Sequence, residues 1–219
     1  MNYNSKNSSY YSFIRLDLIA LIDIGVRNLN ILEIGAAYGE TLFYLKQKGI
    51  AARAVAVDLF EDKNNDQRYK VVDDFIFGNI EEIELNRYIN YFDLILLPDV
   101  LEHLIEPSKV LTKIKSYLKQ DGKVIVSMPN IRHYSAMYKI FCKGDFQYEE
   151  SGIFDYTHMR FYCRKNIQEL LESSGYKIVR QESSIQNYKG KSLAKTINLL
   201  TFGVFEEFFS AQYFYILEK

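Results

Sequence analysis

The stretch that most constrains the fold is residues 31–41, ILEIGAAYGET. An apolar run of strand length turns on Gly35 and Gly39 and continues into a helical pattern. Strand, glycine turn and helix in that order form the ligand-binding loop of many open α/β sheets. Glycine lets the backbone turn sharply and approach a ligand closely, because no Cβ intervenes. Two glycines at this spacing also occur in αβ turns that serve packing alone, so the loop draws its meaning from the residues downstream of it.

A helix over Thr41–Lys48 closes on Gly49. The second strand, Ala52–Asp58, ends in an acid about 20 residues beyond the glycine turn. An acid there either accepts hydrogen bonds from both ribose hydroxyls of an adenosine or caps the next helix. A third strand begins at Asp74 and runs to Gly78-Asn79, and a short helix is expected over Glu81–Ile89. The nearly continuous apolar run Phe92–Leu97 predicts a central parallel strand buried on both faces. It ends in PDVLEH (98–103), the densest patch of polar chemistry in the chain. Pro107 opens a helix over Ser108–Lys119 that Asp121-Gly122 terminates, and strand five spans Lys123–Met128 up to Pro129-Asn130.

Residues 131–141 read as an amphipathic helix and 142–164 as a loop. A helix over Lys165–Ser174, capped by Gly175, precedes strand six, Tyr176–Gln181. Before the first strand, residues 1–9 read as a polar tail and Tyr10–Gly25 as a helix. After strand six, Ser192–Phe209 has helical apolar spacing, and Gln212–Leu217 is a final strand. That greasy helix is expected to pack on its own sheet by default; the other readings are a lid, a homodimer face or a membrane contact. Alternating strands and helices predict one doubly wound α/β domain over 1–219, with 185–210 as a helical insertion before the last strand.

The chain has 219 residues, 48% of them hydrophobic, and a net charge of −1, enough to build a core and without the basic face of a general nucleic-acid binder. Two cysteines outside any pairing pattern suit a reduced, cytoplasmic setting. The polar start is unlike a signal peptide, and no apolar run reaches the ~18 residues of a spanning helix.

With these pieces in place, ILEIGAAYG, AVAVD, DDFIFGNI, FDLILLPDVLEHL, VLTKIKSYLKQDGKVIVSMPN and GIFDYTHMRFYCRKNIQELLESSGYKI together resemble the S-adenosylmethionine-dependent methyltransferases of Rossmann-like fold. The last piece is similar to the branch found in bacterial glycan and surface-polysaccharide biosynthesis. The resemblance covers about residues 10–218 and implies a seven-stranded sheet whose last strand is antiparallel and inserted beside strand six. It implies that Glu33, Gly35, Ala36, Ala37 and Gly39 form the loop under the methionine part of the cofactor. Asp58 would hold the ribose hydroxyls with Leu59 beside it, Asn79 and Ile80 would meet the adenine, and Pro98 would also contact the cofactor. Tyr11 or Arg15 would close over the cofactor. Ala37 stands where many relatives carry glycine, so the turn is expected to avoid a positive φ there. A nicotinamide dehydrogenase is disfavoured, since it wants GxGxxG and the spacing here is GxxxG.

Methyl transfer from a sulfonium is an in-line displacement, and a sugar hydroxyl attacks well only with a general base or a metal ion that lowers its pKa. The three histidines, His103, His133 and His158, fall in segments expected at the carboxyl edge of the sheet. Asp99, Glu102 and His103, with the distant His158, are similar to the metal site of small-RNA 3′-end 2′-O-methyltransferases and of some quinone-ring O-methyltransferases. Mixed oxygen and nitrogen ligands suit magnesium or manganese. The alternatives are a metal-free histidine base, His158, His103 or His133, or a Glu-His pair that merely caps a helix. Asp155 would orient His158 or hold a sugar hydroxyl, and Arg160 would meet a phosphate or a neighbouring acid. The expected activity is O-methylation of a sugar hydroxyl in a glycan precursor. RNA 2′-O-methylation, quinone-type small-molecule methylation and an inactive cofactor-binding scaffold are the alternatives.

Overall fold

Strand β1 (Leu29–Ile34) is buried along its last four residues, and β4 (Phe92–Pro98) is almost wholly buried, as expected for apolar runs covered on both faces. The computed structural model describes residues 13–62, 72–187 and 193–219. Around these two strands stand β2 (Ala51–Asp58), β3 (Asp74–Phe77), β5 (Leu118–Pro129), β6 (Lys177–Ser183) and β7 (Gln212–Glu218). They form one seven-stranded sheet in the order β3-β2-β1-β4-β5-β7-β6. The first five are parallel to their neighbours, and β7 is inserted antiparallel between β5 and β6.

Successive side chains of a strand point to opposite faces, so each strand feeds two cores. Leu32, Val55, Ile95, Val124 and Tyr213 face one side, where α3 (Pro107–Tyr117) and α5 (Arg164–Ser173) cover them with Val110, Leu111, Ile114, Ile167 and Leu171. Ile31, Ala54, Leu94, Ile125 and Phe214 face the other, under α1 (Leu16–Ile19) and α2 (Glu40–Gln47) through Leu18, Leu42 and Leu45. The remaining helices are α4 (Tyr134–Met137), which continues as a π-helical turn over Tyr138–Cys142, α6 (Ser184–Asn187), α7 (Leu193–Leu200) and α8 (Glu206–Phe209).

Four expectations need correction. The helix expected over Tyr10–Gly25 reduces to α1 in its described part: Arg15 N–H donates to Thr41 Oγ1 at 3.1 Å ahead of it, and after Ile19 the chain tightens into turns, Leu21 N–H to the Leu18 carbonyl and Ile22 N–H to the Ile19 carbonyl. Tyr10 and Tyr11 lie outside the described residues. No α-helix forms over Glu81–Ile89. Asn79 Oδ1 accepts the Glu81 N–H at 3.0 Å as an N-cap would, but Leu85 N–H donates to the Tyr117 hydroxyl at 3.0 Å and not to a carbonyl one turn back, and only a 3-10 turn at Asn86–Tyr88 follows. α3 ends at Tyr117 and β5 begins at Leu118, so Asp121-Gly122 lies inside the strand instead of ending the helix. The greasy helix is two short ones, and α7 buries none of its residues. The break falls at Phe202-Gly203, both with positive φ.

The inserted strand has one consequence for the site. Because β7 runs opposite to β5, pairing Pro129 with Gln212, its first residue lies at the carboxyl edge where the parallel strands end.

Candidate functional site

The carboxyl ends of β1, β2, β3 and β4 and the start of β7 surround a cavity of about 780 Å³, within the range of small-molecule and cofactor sites. Arg15, Glu33, Gly35, Ala36, Ala37, Asp58, Leu59, Asn79, Ile80, Pro98, Asp99 and His103 all line it. Gly39 stands behind the turn at φ +73, capping α2. Gly35 has φ +76, and a Cβ there would lie 2.8 Å from Val100 Cγ2, so this position accepts no side chain. Ala37 corrects the expectation for the turn: its φ is +51. It holds that conformation because its N–H donates to Asp58 Oδ2 at 2.6 Å.

Asp58 is thereby part of the loop's architecture. Its Oδ1 accepts the Phe60 N–H at 2.7 Å and the Leu59 N–H also points to the carboxylate, which leaves part of its accepting capacity for a ligand. Burial pushes its pKa up to about 6, against the pull of these backbone donors. Glu33 is 2% exposed and is raised to about 8 by burial, with Arg15 and Thr41 acting the other way. Asn79 turns both ends of its amide onto its own loop: Oδ1 accepts from Glu81, and Nδ2 donates to Glu82 Oε1 at 3.1 Å.

Arg15 and Asp99 organise the opposite wall. The guanidinium donates to Asp99 Oδ2 at 2.7 Å, to Asp17 Oδ2 at 2.9 Å and to Ser127 Oγ at 3.0 Å. Asp99 also accepts from Ser127 Oγ at 2.8 Å and from Gln212 Nε2. This corrects the expected ligand set, since Asp99 does not share a helical turn with Glu102 and His103. It sits before that turn at φ +53, and Arg15 neutralises it.

A second cluster forms beside the cavity. The short 3-10 turn Leu101–His103 follows β4, and the Glu102 carbonyl accepts the N–H groups of Met159 at 2.9 Å and Arg160 at 3.2 Å. Those two bonds bring the 155–160 loop onto the turn, so that the rings of His103 and His158 lie 4.7 Å apart, edge to face. Glu102, His103 and His158 each offer a ligand atom, all within 4.8 Å of one another. His103 Nδ1 is 3.0 Å from the Thr157 carbonyl and His158 Nδ1 is 2.9 Å from the Ile153 carbonyl. Carbonyls only accept, so both Nδ1 atoms carry a proton, and in the neutral form each ring has its lone pair on Nε2. Pinning Nδ1 to a carbonyl is how proteins commonly orient metal-ligating histidines. His158 Nε2 lies 3.9 Å from Glu102 Oε1. Glu102 itself is fully buried, and neither carboxylate oxygen has a hydrogen-bond partner among the described residues. Burial, with Asp99 adding to it, raises its pKa well above the ordinary carboxylate value. A buried carboxylate with two imidazoles whose ligand atoms lie within 4.8 Å of it fits a divalent cation in both charge and donor type.

Of the other expected residues, Asp155 is buried and accepts from Thr157 N–H at 2.9 Å and Thr157 Oγ1 at 2.6 Å, so it builds the turn that carries His158. Arg160 donates to the Leu104 carbonyl at 2.6 Å. His133 caps α4 through Nδ1 and stands outside the cluster of three. Sequence reasoning missed Gln212, Ser127, Asp17, Thr41 and Met159, which also line the cavity or tie its walls together. Ser127 had a signal, as a polar residue inside the apolar run of strand five; Gln212 had none, because only sheet topology brings it there.

Comparison with known proteins agrees with this architecture. The methyltransferase-domain family matches residues 7–181. A SAM-dependent methyltransferase from Archaeoglobus fulgidus has a similar structure, with TM-score 0.65 and 19% identity over 94% of this chain and 91% of its own. A second, from Mesorhizobium loti, has TM-score 0.65 and 13% identity over 93% and 96%. Phosphoethanolamine N-methyltransferase 2 of Haemonchus contortus, solved with phosphomonomethylethanolamine and S-adenosylhomocysteine, has TM-score 0.62 and 16% identity over 93% of this chain and 52% of its own. No curated protein matches the chain. The glycine loop, the seven-stranded sheet with its antiparallel insertion and the matching family agree, and the chain belongs to the S-adenosylmethionine-dependent methyltransferases of Rossmann-like fold.

Proposed function

We propose that this methyltransferase acts on oxygen, at a hydroxyl of a sugar-containing acceptor, with magnesium or manganese held by Glu102, His103 and His158. The observation that carries this reading is the buried carboxylate of Glu102, without hydrogen-bond partners among the described residues, between two imidazoles whose Nδ1 atoms are tied to carbonyls. Bound there, the ion would lower the pKa of an acceptor hydroxyl and could chelate two adjacent ones. The sugar acceptor itself rests on the similarity of residues 152–178 to glycan-biosynthesis methyltransferases.

For the cofactor, the 35–39 turn would lie under the methionine moiety, Asp58 would accept from the ribose hydroxyls, and Asn79 and Ile80 would border the adenine. The Arg15–Asp99–Ser127 network would fix the wall beside the sulfonium. In the transfer the acceptor oxygen bonds to the methyl carbon, the carbon–sulfur bond breaks, and S-adenosylhomocysteine leaves. The acceptor proton goes to a base. Because His103 lines the cavity and has its lone pair on Nε2, a second reading uses His103 as that base with no ion.

Calorimetric titration with S-adenosylhomocysteine and manganese separates the two readings. Cofactor binding together with a manganese heat that Glu102→Ala abolishes supports the metal site. Cofactor binding with no manganese heat favours the histidine base. Absence of cofactor binding in the wild-type protein overturns both.

A further inference from the structure

Arg160 is a cation that neither the cofactor loop nor the cluster of three ligand residues uses. Its backbone N–H donates to the Glu102 carbonyl at 3.2 Å, and it follows His158 by two residues. The side chain is half-buried, and Nη1 donates to the Leu104 carbonyl at 2.6 Å. That partner is neutral. Nε and Nη2 have no hydrogen-bond partner among the described residues, and no described carboxylate pairs with the guanidinium. Arg15, which lines the cavity, is by contrast spent on Asp17 and Asp99. Acids near Leu104 are engaged as well. Glu81 accepts the N–H groups of Ile105 at 3.2 Å and Glu106 at 2.7 Å, and Glu106 pairs with Lys109 at 2.7 Å.

The position of this arginine matters. Leu104, Ile105 and Met159 line the cavity, and Ile105 and Met159 are also 58% and 44% exposed, so the cavity opens to solvent along this rim. Arg160 adjoins the rim through its chain neighbour Met159 and through the Leu104 carbonyl. A guanidinium presents parallel N–H groups that match the two oxygens of a phosphate or a carboxylate. Partial burial weakens screening, so an oxyanion gains more here than on open surface. The carboxylate of the cofactor belongs to its methionine part, which the proposed pose puts under the 35–39 turn after β1. Arg160 instead joins the turn after β4, beside His158. Two residues of chain span at most ~7 Å, so an anion at Arg160 and a hydroxyl at His158 fit one sugar unit or two adjacent ones.

We propose that the acceptor is anionic, a sugar carrying a phosphate or a carboxylate that Arg160 grips through Nε and Nη2 while the reacting hydroxyl reaches Glu102, His103 and His158. This rests on the sugar-acceptor reading above and does not need the ion.

The test is ligand-observed NMR titration of the protein saturated with S-adenosylhomocysteine, with and without magnesium. The probes are the 1-phosphates of glucose, galactose and mannose, their neutral methyl glycosides, and glucuronate and galacturonate. The expected result is an anionic probe that binds at least ~10-fold more tightly than its neutral counterpart, the worth of one charge-assisted pair. Arg160→Gln should remove that advantage and Arg160→Lys keep part of it, with the affinity of both variants for S-adenosylhomocysteine unchanged. An advantage carried by the uronates alone supports the proposal and names the anion as a carboxylate. Anion selectivity that ignores magnesium leaves the role of Arg160 standing and removes only the metal from the proposed function. A magnesium response without anion selectivity, binding of no anionic probe, or an advantage that survives Arg160→Gln overturns the proposal. A short RNA that outcompetes every sugar probe overturns it too, and moves the acceptor to a nucleic acid.

Discussion

Asp58 does two things with one carboxylate: it holds the Ala37 and Phe60 amides, and it faces the cavity with lone pairs to spare. Hydroxyl donors need the ionised form, and burial has raised the pKa to about 6. Affinity for S-adenosylhomocysteine should therefore hold above pH 6 and fall by up to ~10-fold per pH unit below it. Calorimetry across pH 5 to 8 checks this, and a flat profile would remove Asp58 from the binding role. Glu102 is the opposite kind of residue, a buried acid whose carboxylate oxygens have no hydrogen-bond partner among the described residues and whose pKa burial raises despite the pull of Arg15. Glu102→Met should raise the stability of the ion-free protein by ~1–3 kcal/mol, the cost of a buried unsatisfied polar group. The same change should erase any stabilisation by manganese. Thermal melts with and without the ion measure both effects, and a destabilised Glu102→Met protein would show that the carboxylate has a partner within the fold.

At the scale of elements, the site depends on turns more than on helices. The 35–39 loop keeps an alanine in the left-handed region, which costs a non-glycine residue roughly 1–2 kcal/mol. Ala37→Gly should recover up to ~1 kcal/mol in urea unfolding, less the extra entropy glycine gives the unfolded chain. Cofactor binding should persist, because the amide that meets Asp58 is retained. If Ala37→Gly were destabilising by a similar amount, the turn would not be strained at that residue. The other critical element is the 155–160 loop, which the Glu102 carbonyl holds through two backbone bonds. Asp155 shapes that loop through Thr157.

Across the whole molecule, the carboxyl edge of the sheet concentrates acids whose folded pKa values lie above their unfolded ones. Glu33 moves from 4.5 to about 8 and Asp58 from 3.8 to about 6, both chiefly through burial. An acid raised in this way favours the folded state when protonated. Its contribution is complete below the unfolded value and is lost as pH rises through the folded one. The ligand-free protein should therefore melt ~5 °C higher near pH 5.5 than near pH 8.5, within a decline that runs from the unfolded values of 3.8 and 4.5 up to about 8 and is steepest below pH 6. Differential scanning calorimetry reads this directly, and a melting temperature that rises with pH over that range would contradict it.

What the sequence by itself determined is local. Apolar runs of strand length, Pro107 at a helix start and the glycine turn at 35–39 placed most elements to within a few residues, because propensity and periodicity act over neighbours. The same local patterns brought forward Asp58, Glu102, His103 and His158. Four decisions belonged to the tertiary structure. Tyr117 took the Leu85 N–H that a helix over Glu81–Ile89 would have needed. Arg15, 84 positions away in sequence, took Asp99 out of the ligand set. Ala37 adopted a positive φ because Asp58 accepts its N–H from the neighbouring strand. Gln212 reached the cavity only because β7 runs antiparallel beside β5. Each depends on a partner distant in the chain, and no periodicity within a short window carries information about such partners.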